Sequence, residues 1–443
     1  MNPVPLFSRI LLASFLLSSR AHTAETRPLP AAATPSVESL VTEVLGQNLE
    51  LQFYDAEITA ARAALTTSAQ LPQPEVSGSI GRKRTTELTG ILAGEGTAWS
   101  AGVSQTFEWP GRLGLRKAIA NRDLLLAGLG RARFTNALAG KARSLAYGVS
   151  ASAERRRVAG EVADRFHALR EVLVQRDPAG VAPALEIRIL EAMELSLRHK
   201  AAKADQEWNT LRTELNLLRG LPADAPLDLH WVEPMLGPAP RLESVLAAAQ
   251  TNNFDLRLRV VELEQQGFRV ELARNERWPA FTIGTHYSEE RSDARDQMIG
   301  LSVSFPLPLW RNTAARTEAA QARRVQAESV LATARRDLER RLTVAVSSYG
   351  AQTAELQRWR PDTVEQFRAA AELADRHYRL GAVPATTYVE LQKQYTEAVD
   401  AWLDTRREAV DHAQEIEQLS GVPVLPAGAA VSATIQPTTP ARP

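Results

Sequence analysis

Few residues in this sequence have the types and spacing that catalysis or metal binding requires. Cysteine is absent, which excludes a disulfide framework, a thiolate metal site and a cysteine nucleophile. The sequence has no Gly-x-Ser-x-Gly, His-Glu-x-x-His or phosphate-binding glycine loop, and GLGR at Gly128 is only a fragment of a dinucleotide fingerprint. The seven histidines are scattered: His22, His167, His199, His230, His286, His377 and His412. We therefore predict that the protein is not an enzyme and has no catalytic residue, no metal site and no cofactor.

The charge balance limits the possible partners. Lysine and arginine number 52, aspartate and glutamate number 52, and the formal net charge is zero. Nucleic-acid binding requires a basic surface, so we predict no nucleic-acid partner. The hydrophobic fraction is 44%, carried largely by alanine and leucine, which favour helices.

The two ends of the chain differ in composition from the rest. Residues 1–24 contain Arg9, an apolar run and then small residues, which is typical of a secretory signal peptide; a short buried helix is the alternative. Residues 25–35 are rich in proline and alanine, and so is the tail, residues 422–443, which we expect to be disordered. Between these ends no run of about 18 uncharged apolar residues predicts a transmembrane helix.

The chain contains an internal repeat. The matched segments are PEVSGSI at Pro74 with PAFTIGT at Pro279, GVSQTF at Gly102 with GLSVSF at Gly300, and GVAP at Gly180 with GAVP at Gly381. Their offsets are 205, 198 and 201 residues, in the same order along the chain. We predict two tandem copies, residues 36–220 and 241–421, joined by a proline-rich connector over residues 221–240.

Both copies have the same predicted order of elements: a helix, two strands, a very long helix, a Gly-x-x-Pro turn and a last helix. The predicted helices cover residues 36–70, 112–175 and 183–219 in the first copy, and 241–276, 312–379 and 385–419 in the second. At 1.5 Å per residue the first long helix extends roughly 95 Å, and the two shorter helices together match its length. We predict a rod in which Pro361 kinks or breaks the second long helix.

The last helix has the periodicity of a coiled coil. Positions 388, 391, 395, 398, 402, 405, 409, 412, 416 and 419 step by threes and fours, and eight of these ten residues are apolar. His412 lies on this seam, so we predict a packed core histidine and not a metal ligand.

The predicted strands alternate between apolar and small polar residues. The apolar positions in the second copy are Phe281, Ile283, Tyr287, Ile299, Leu301, Val303 and Phe305. This pattern is typical of a transmembrane β-barrel wall, with lipid on one side and water on the other; a soluble β-domain is the alternative. Trp99, Trp109, Trp278 and Trp310 bracket the strands as interfacial anchors would, together with Phe305. Four strands cannot close a barrel, so we predict a homotrimer with twelve.

Three segments carry a resemblance to a known family: SQTFEWPGRLGLRKAIA at Ser104, its counterpart SVSFPLPLWRNTAARTEAA at Ser302, and YRLGAVPATTYVELQKQY at Tyr378. They resemble the TolC-type outer-membrane factors, the exit ducts of tripartite efflux pumps. The Q-x-x-E-W-P-G-R form at Gln105 is most similar to the branch that serves heavy-metal cation efflux.

The resemblance implies a fold, a location and partners. The fold is mainly α with a small β part, in which three duplicated helix-strand-strand-long helix-helix chains form a 12-stranded outer-membrane barrel. An α-helical barrel continues it across the periplasm. The partners implied are outer-membrane lipid, a periplasmic adaptor protein and an inner-membrane pump. The expected function is passive conduction of substrate, such as heavy-metal cations, to the exterior.

The resemblance also assigns regions. Trp109, Pro110, Gly111 and Pro308 correspond to the joint between barrel and tunnel. The turns with Gly180 and Pro183, and with Gly381 and Pro384, correspond to the periplasmic tips on which the adaptor docks. Glu186 and Glu390 follow these turns and are candidates for acidic rings at the entrance, which would favour cations. Ordinary solvated helix glutamates are the alternative for both residues.

A second class of function stays open at this point. A soluble periplasmic coiled-coil adaptor or scaffold would share the long helices, but the duplicated strand pairs are not expected in such a protein.

Overall fold

The computed structural model describes residues 36–88, 90, 92–176, 181–227, 229, 233–292, 294–306, 313–360 and 362–425. Within these ranges the same order of elements occurs twice. The first half consists of α1 (Val37–Gln47), α2 (Leu49–Ser68), β1 (Glu75–Thr86), β2 (Leu92–Phe107), α3 (Arg112–Arg176) and α4 (Val181–Leu218). The second half consists of α5 (Leu242–Asn252), α6 (Phe254–Asn275), β3 (Phe281–Arg291), β4 (Arg295–Ser304), α7 (Thr313–Arg358), α8 (Thr363–Arg379) and α9 (Ala385–Ser420). The predicted signal peptide and most of the C-terminal tail lie outside the described residues.

The first helix of each half is divided in two, whereas the sequence predicted one continuous helix. The Asn48 side chain caps the start of α2, and its Nδ2 donates a hydrogen bond to the carbonyl of Leu218 at the end of α4. Asn253 caps α6 in the same way and donates to the carbonyl of Leu419 near the end of α9. The single-helix prediction was wrong because each buried asparagine satisfies one helix start and one helix end together.

The long helices follow the prediction. α3 is continuous over 65 residues and extends about 98 Å. Its counterpart is divided into α7 and α8, and the break at residues 359–362 falls where Pro361 was predicted to interrupt the helix; Pro361 itself is outside the described residues. Among the helices that the structure describes, none is both long and apolar enough to cross a membrane.

The helices pack side by side as a rod. α3 packs along α4, α2 and α1, and α7 packs along α6 and α9, so shorter helices line each long one. The apolar interior consists of three clusters and not of one core. One cluster lies between α1, α3 and α4, one between α5, α7 and α9, and the third joins α3 and α4 to α8 and α9. The third cluster therefore couples the two halves of the chain.

The last helix is buried over a wider face than a coiled-coil seam. None of the ten predicted seam positions is exposed, and five of them are buried. Gln392, Leu403 and Ala413, which lie off the predicted seam, are buried as well. His412 is only half-buried, so its assignment to the core was wrong. The reason is that α9 contacts α3, α7 and α8 together, and a contact surface of several helices is wider than that of one partner.

The four strands form one antiparallel sheet in the order β1-β2-β3-β4. β2 of the first half pairs with β3 of the second half, so the sheet joins the two halves. β2 begins at Leu92, ten residues before the GVSQTF segment that indicated it, and it includes Gly94 and Gly96, which are weak strand formers. In the described sheet, β1 and β4 are edge strands.

Candidate functional site

One face of the sheet is apolar and uncovered in the protomer. The pairing places Ile80 beside Trp99 and Tyr287 beside Ile299, so side chains of all four strands share this face. Ile80 and Ile299 are 85% and 84% exposed. The exposed apolar members are Val76, Ile80, Trp99, Val103, Ile283, Ile299, Leu301, Val303 and Phe305. Such a band matches the lipid-facing side of a barrel wall.

The opposite face is small and polar, as the alternation predicted. Its members include Ser77, Ser79, Ser100, Gly102, Ser104, Gly284, Ser288, Gly300 and Ser302. The ring of His286 lies over Gly300, where a Cβ atom would come within 2.3 Å of the ring. Lys83 Nζ donates to Glu290 Oε2 at 2.5 Å on the same face. This face matches the water-filled side of a barrel wall.

The segment between β2 and α3 turns the chain from the sheet into the rod. Gly111 has φ +86, a left-handed conformation that favours glycine, and α3 begins at the next residue. The rings of Trp109 and Trp278 stack with centroids 5.0 Å apart and planes inclined by 13°. Trp109, Pro110 and Gly111 therefore lie at the place where the direction of the chain changes.

Two polar residues that the sequence did not single out connect this turn to the second half. Arg112 is 7% exposed, and its guanidinium donates to Asn275 Oδ1 at 3.1 Å, to the Asn275 carbonyl at 3.3 Å and to the Trp278 carbonyl at 2.6 Å. Asn275 Nδ2 donates in return to the Pro110 carbonyl at 3.0 Å. The joint is thus a polar network that bonds the β2–α3 connection to the α6–β3 connection. Only its place beside the Trp-Pro-Gly segment could have identified Arg112 in advance.

The far end of the rod contains the turn of the second half. Gly381 has φ +72 after the end of α8, and its N–H donates to the Tyr378 carbonyl at 2.9 Å. Pro384 occupies the N-cap position of α9 with φ −73, which suits the fixed ring of proline. Leu380 and Gly381, which precede Pro384, are exposed, Leu380 at 79%. This end therefore presents an exposed turn between two helices.

Aromatic packing and one acid lie beside this turn. Tyr388 is fully buried, with its ring centroid 5.1 Å from that of Phe166 and 5.1 Å from that of Tyr378. Tyr378 Oη donates to Glu186 Oε2 at 3.3 Å. Burial, reinforced by the Glu186 carboxylate, raises the pKa of Tyr378 to about 12. Burial raises the pKa of Tyr388 as well, with Asp375 as the next cause.

The structure separates the two acidic candidates by environment. Glu186 is half-buried on α4 and faces Tyr378, whereas Glu390 is exposed on α9 and accepts a hydrogen bond from Gln394 at 3.0 Å. Across the described ranges, no group of three or more histidine, cysteine or acidic side chains is arranged to hold a metal ion.

The remaining predicted positions are only partly described. Gly180, Pro308 and Trp310 lie outside the described residues. Pro183 falls in the first turn of α4, which begins at Val181, two residues before the predicted start. Trp278 and Phe305 are 44% and 57% exposed near the helix end of the sheet.

An exposed apolar sheet joined to a long helical rod is the arrangement predicted above for one protomer of an outer-membrane channel. Residues 245–422 match the family model described as outer membrane efflux protein. The chain is 24% identical over 440 residues to the pyoverdine export outer membrane protein OpmQ of Pseudomonas aeruginosa, and the match covers 91% of this chain and 90% of that protein.

Solved structures agree in fold. A membrane protein from Pseudomonas aeruginosa superposes with a TM-score of 0.70 at 15% identity, covering 87% of this chain and 90% of that one. The Campylobacter jejuni CmeC outer membrane channel superposes with a TM-score of 0.68 at 14% identity, covering 87% and 85%. The second half of the chain therefore resembles the outer membrane efflux proteins, and the whole chain shares the fold of the CmeC channel. The family description and the names of these relatives refer to the outer membrane, which supports the predicted location there with a periplasmic extension.

Proposed function

We propose that the chain is the outer-membrane exit duct of a tripartite export system. Open sheet edges are not tolerated in lipid, and β1 and β4 are edge strands in the protomer, so three copies would close a barrel of twelve strands. The helices of the three rods would continue the barrel as a tube with the same cyclic symmetry. The single observation that carries this proposal is the exposed apolar face of the four-stranded sheet.

The tip of the rod is the proposed docking site for a periplasmic adaptor, which would link the duct to an inner-membrane pump. The turn with Gly381 and Pro384 supports this assignment because it is exposed and carries Leu380 outward. An exposed apolar residue at a helix junction is a suitable anchor for a partner protein. The turn with Gly180 and Pro183 is proposed as the equivalent site of the first half.

Heavy-metal cations remain the predicted cargo, on the strength of the Q-x-x-E-W-P-G-R segment. Pyoverdine is the second candidate, because the relatives of the chain in two Pseudomonas species are named for pyoverdine export. We propose that conduction is passive and that Glu390 contributes an acidic ring near the entrance, since its carboxylate is exposed. Glu186 could contribute a second ring only where its bond to Tyr378 is released.

Site-specific crosslinking tests the proposed docking, because the natural sequence has no cysteine. We would introduce Ala382→Cys at the tip and, as the matched control, Ala332→Cys on α7; both alanines are exposed in the protomer. A photoactivated crosslinker on Ala382→Cys in intact cells should capture an adaptor protein, identified by mass spectrometry. Capture of the adaptor by Ala332→Cys alone, or of no adaptor by either variant, would contradict the proposed tip.

A further inference from the structure

Charged residues extend the apolar face of the sheet at the end remote from the helices. On the first hairpin Glu95 lies between two arginines: Arg82 Nη2 is 3.0 Å from Glu95 Oε2, and Arg84 Nε is 3.1 Å from Glu95 Oε1. The cross-strand pairing of Arg84 with Glu95 places all three side chains on the face that carries Ile80 and Trp99.

The second hairpin repeats this arrangement with different residues. Glu289 is buried, at 3% exposure, and its carboxylate accepts from Arg291 Nε at 2.6 Å and from Arg295 Nη2 at 2.7 Å. Tyr287 Oη donates to the same carboxylate at 3.1 Å. Each hairpin therefore carries an Arg-Glu-Arg triad on its outer face, and each triad has one positive charge in excess.

The guanidinium groups of both triads remain available for a further ligand. The side chains of Arg82, Arg84, Arg291 and Arg295 are 81%, 68%, 62% and 56% exposed. A guanidinium has five N–H donors, and the ion pair to glutamate uses only one or two of them. The planar fork of donors that remains suits bidentate recognition of phosphate.

The aromatic residues beside the triads indicate where the triads lie relative to the membrane. Trp99 and Tyr287 have ring centroids 5.3 Å apart, between the triads and the apolar band. Aromatic rings of this kind lie at the level of lipid headgroups. Arg291 follows Tyr287 by four residues, roughly 13 Å along a strand, so the triads lie just beyond the hydrocarbon.

The opposite face at the same height has the opposite balance of charge. There Lys83 pairs with Glu290 at 2.5 Å and lies 3.7 Å from Asp296, which leaves one negative charge in excess. Of these three clusters, only the two on the lipid-facing side of the sheet have an excess of positive charge. A general need for solubility would not separate the charges by face.

We propose that the Arg82-Glu95-Arg84 and Arg291-Glu289-Arg295 triads bind the phosphate groups of anionic glycolipids in the outer leaflet of the membrane. The inference rests on the proposed function, because the trimeric barrel with its rods in the periplasm places both triads at the outer leaflet. Three copies carry six triads around the barrel, and their glutamates hold the arginines in position for the headgroups.

The test uses the full-length trimer in detergent micelles and native mass spectrometry. The probes are diphosphoryl lipid A, the same lipid with both phosphates removed, and inorganic pyrophosphate as a soluble competitor. The variants are Arg84→Gln/Arg295→Gln and, as the matched control at the same height on the opposite face, Lys83→Gln. An arginine near a charged lipid surface changes affinity by about fivefold, so the diphosphoryl lipid should bind at least about fivefold more tightly than the dephosphorylated one.

The double variant should lose this preference and Lys83→Gln should keep it, while pyrophosphate should fail to displace the lipid. Equal affinity of wild type for both lipids overturns the proposal, even if the double variant does not assemble. Retention of the preference by an assembled double variant overturns it too, and displacement by pyrophosphate would reassign the triads to a soluble anion. Failure of the lipid proposal can be told from failure of the proposed duct by channel formation of wild type in a lipid bilayer, which does not depend on binding of lipid phosphate.

Discussion

The two halves of the chain share an order of elements but differ in their long helix. In the first half α3 is continuous over 65 residues, whereas in the second the equivalent stretch is divided into α7 of 46 residues and α8 of 17. The divided helix is accompanied by aromatic packing, in which Tyr388 is buried between Phe166 and Tyr378. Phe166 belongs to α3, so we infer that packing of α8 and α9 against the continuous helix replaces the rigidity that the divided helix lacks.

Along the middle of the rod the halves are alike. Asn48 and Asn253 cap equivalent helices and bond equivalent carbonyls. Gly220 and Gly421, with φ +70 and +68, follow the ends of α4 and α9. The rod therefore has a symmetric region in its middle and an asymmetric region near the tip.

The largest expected effect tests the asymmetry at the tip. Tyr388→Ala should lower the free energy of unfolding by about 3–5 kcal/mol, because it empties a fully buried site between two rings. Ile187→Ala, 201 residues earlier in the equivalent place, removes a half-buried side chain and should cost about 1 kcal/mol. Denaturation followed by circular dichroism measures both. Equal losses would mean that the two tips are packed alike.

The next effect concerns the joint, which both halves share. Arg112→Gln removes a buried guanidinium that bonds two backbone carbonyls and one side chain, and should cost about 2–4 kcal/mol. Arg277→Gln is the control, since Arg277 is exposed and lies 5.2 Å from the Trp278 ring centroid, a contact worth about 0.5–1 kcal/mol. Thermal unfolding compares the two variants. A loss for Arg112→Gln no larger than that of the control would show that the network does not hold the joint.

A smaller pair of effects tests the symmetric region. Asn48→Ala and Asn253→Ala should each cost about 2 kcal/mol, because each removes a helix cap and a hydrogen bond to a helix end. Asn136→Ala is the control, because Asn136 lies inside α3 and makes only a 3.4 Å bond to the Gln418 carbonyl. Chemical denaturation compares the three variants. Two cap variants that differ by more than about 1 kcal/mol would argue against equivalent halves.

Alkaline pH should weaken the second half more than the first. The pKa of Tyr378 is near 10 when unfolded and about 12 when folded, so the folded state binds more protons between these values. Its contribution is complete below pH 10 and is lost as the pH rises toward 12. Burial also raises the pKa of Tyr349, Tyr388 and Tyr395 in this half, and of Tyr147 in the first half.

The melting temperature between pH 9 and pH 12 measures this dependence. Tyr378→Phe should reduce the alkaline fall, whereas Tyr54→Phe, which removes a hydroxyl from α2 beside Phe134, should leave it unchanged. An equal fall of the melting temperature in both variants would show that Tyr378 does not cause the alkaline loss of stability.

The smallest effect distinguishes the two acidic candidates. Glu390→Gln should reduce the preference of the channel for cations by about twofold, because it removes an exposed carboxylate. Glu186→Gln should change it less, since Glu186 already accepts a hydrogen bond from Tyr378. Reversal potentials under a salt gradient measure the preference, and a larger shift for Glu186→Gln would reverse the assignment.

Much of the fold could be predicted from the alternation of apolar residues and from the positions of proline. Strand alternation predicted the two faces of the sheet, the absence of proline predicted α3, and Pro361 predicted the break between α7 and α8. The breaks at Asn48 and Asn253 could not be predicted, because asparagine also occurs within helices. What makes them caps is a carbonyl that the fold brings from 170 and 166 residues away.

Some residues of the candidate site could likewise be predicted from the sequence, and others could not. Trp109, Pro110 and Gly111 are visible in the sequence because proline and glycine restrict the backbone locally. Arg112 is one of many arginines, and its importance depends on Asn275, 163 residues away. The environments of Glu186 and Glu390 also depend on neighbouring helices. The spacing of each residue from a glycine turn does not show these helices, so the sequence could not distinguish the two glutamates.

Single-channel conductance of the purified protein in a planar lipid bilayer tests the central claim most directly. The account predicts discrete channels of uniform size from a detergent-extracted trimer, since the apolar face of the sheet must lie in lipid and three sheets close one barrel. Absence of channels, from a protein that stays monomeric and soluble without detergent, would contradict the duct and favour a coiled-coil scaffold.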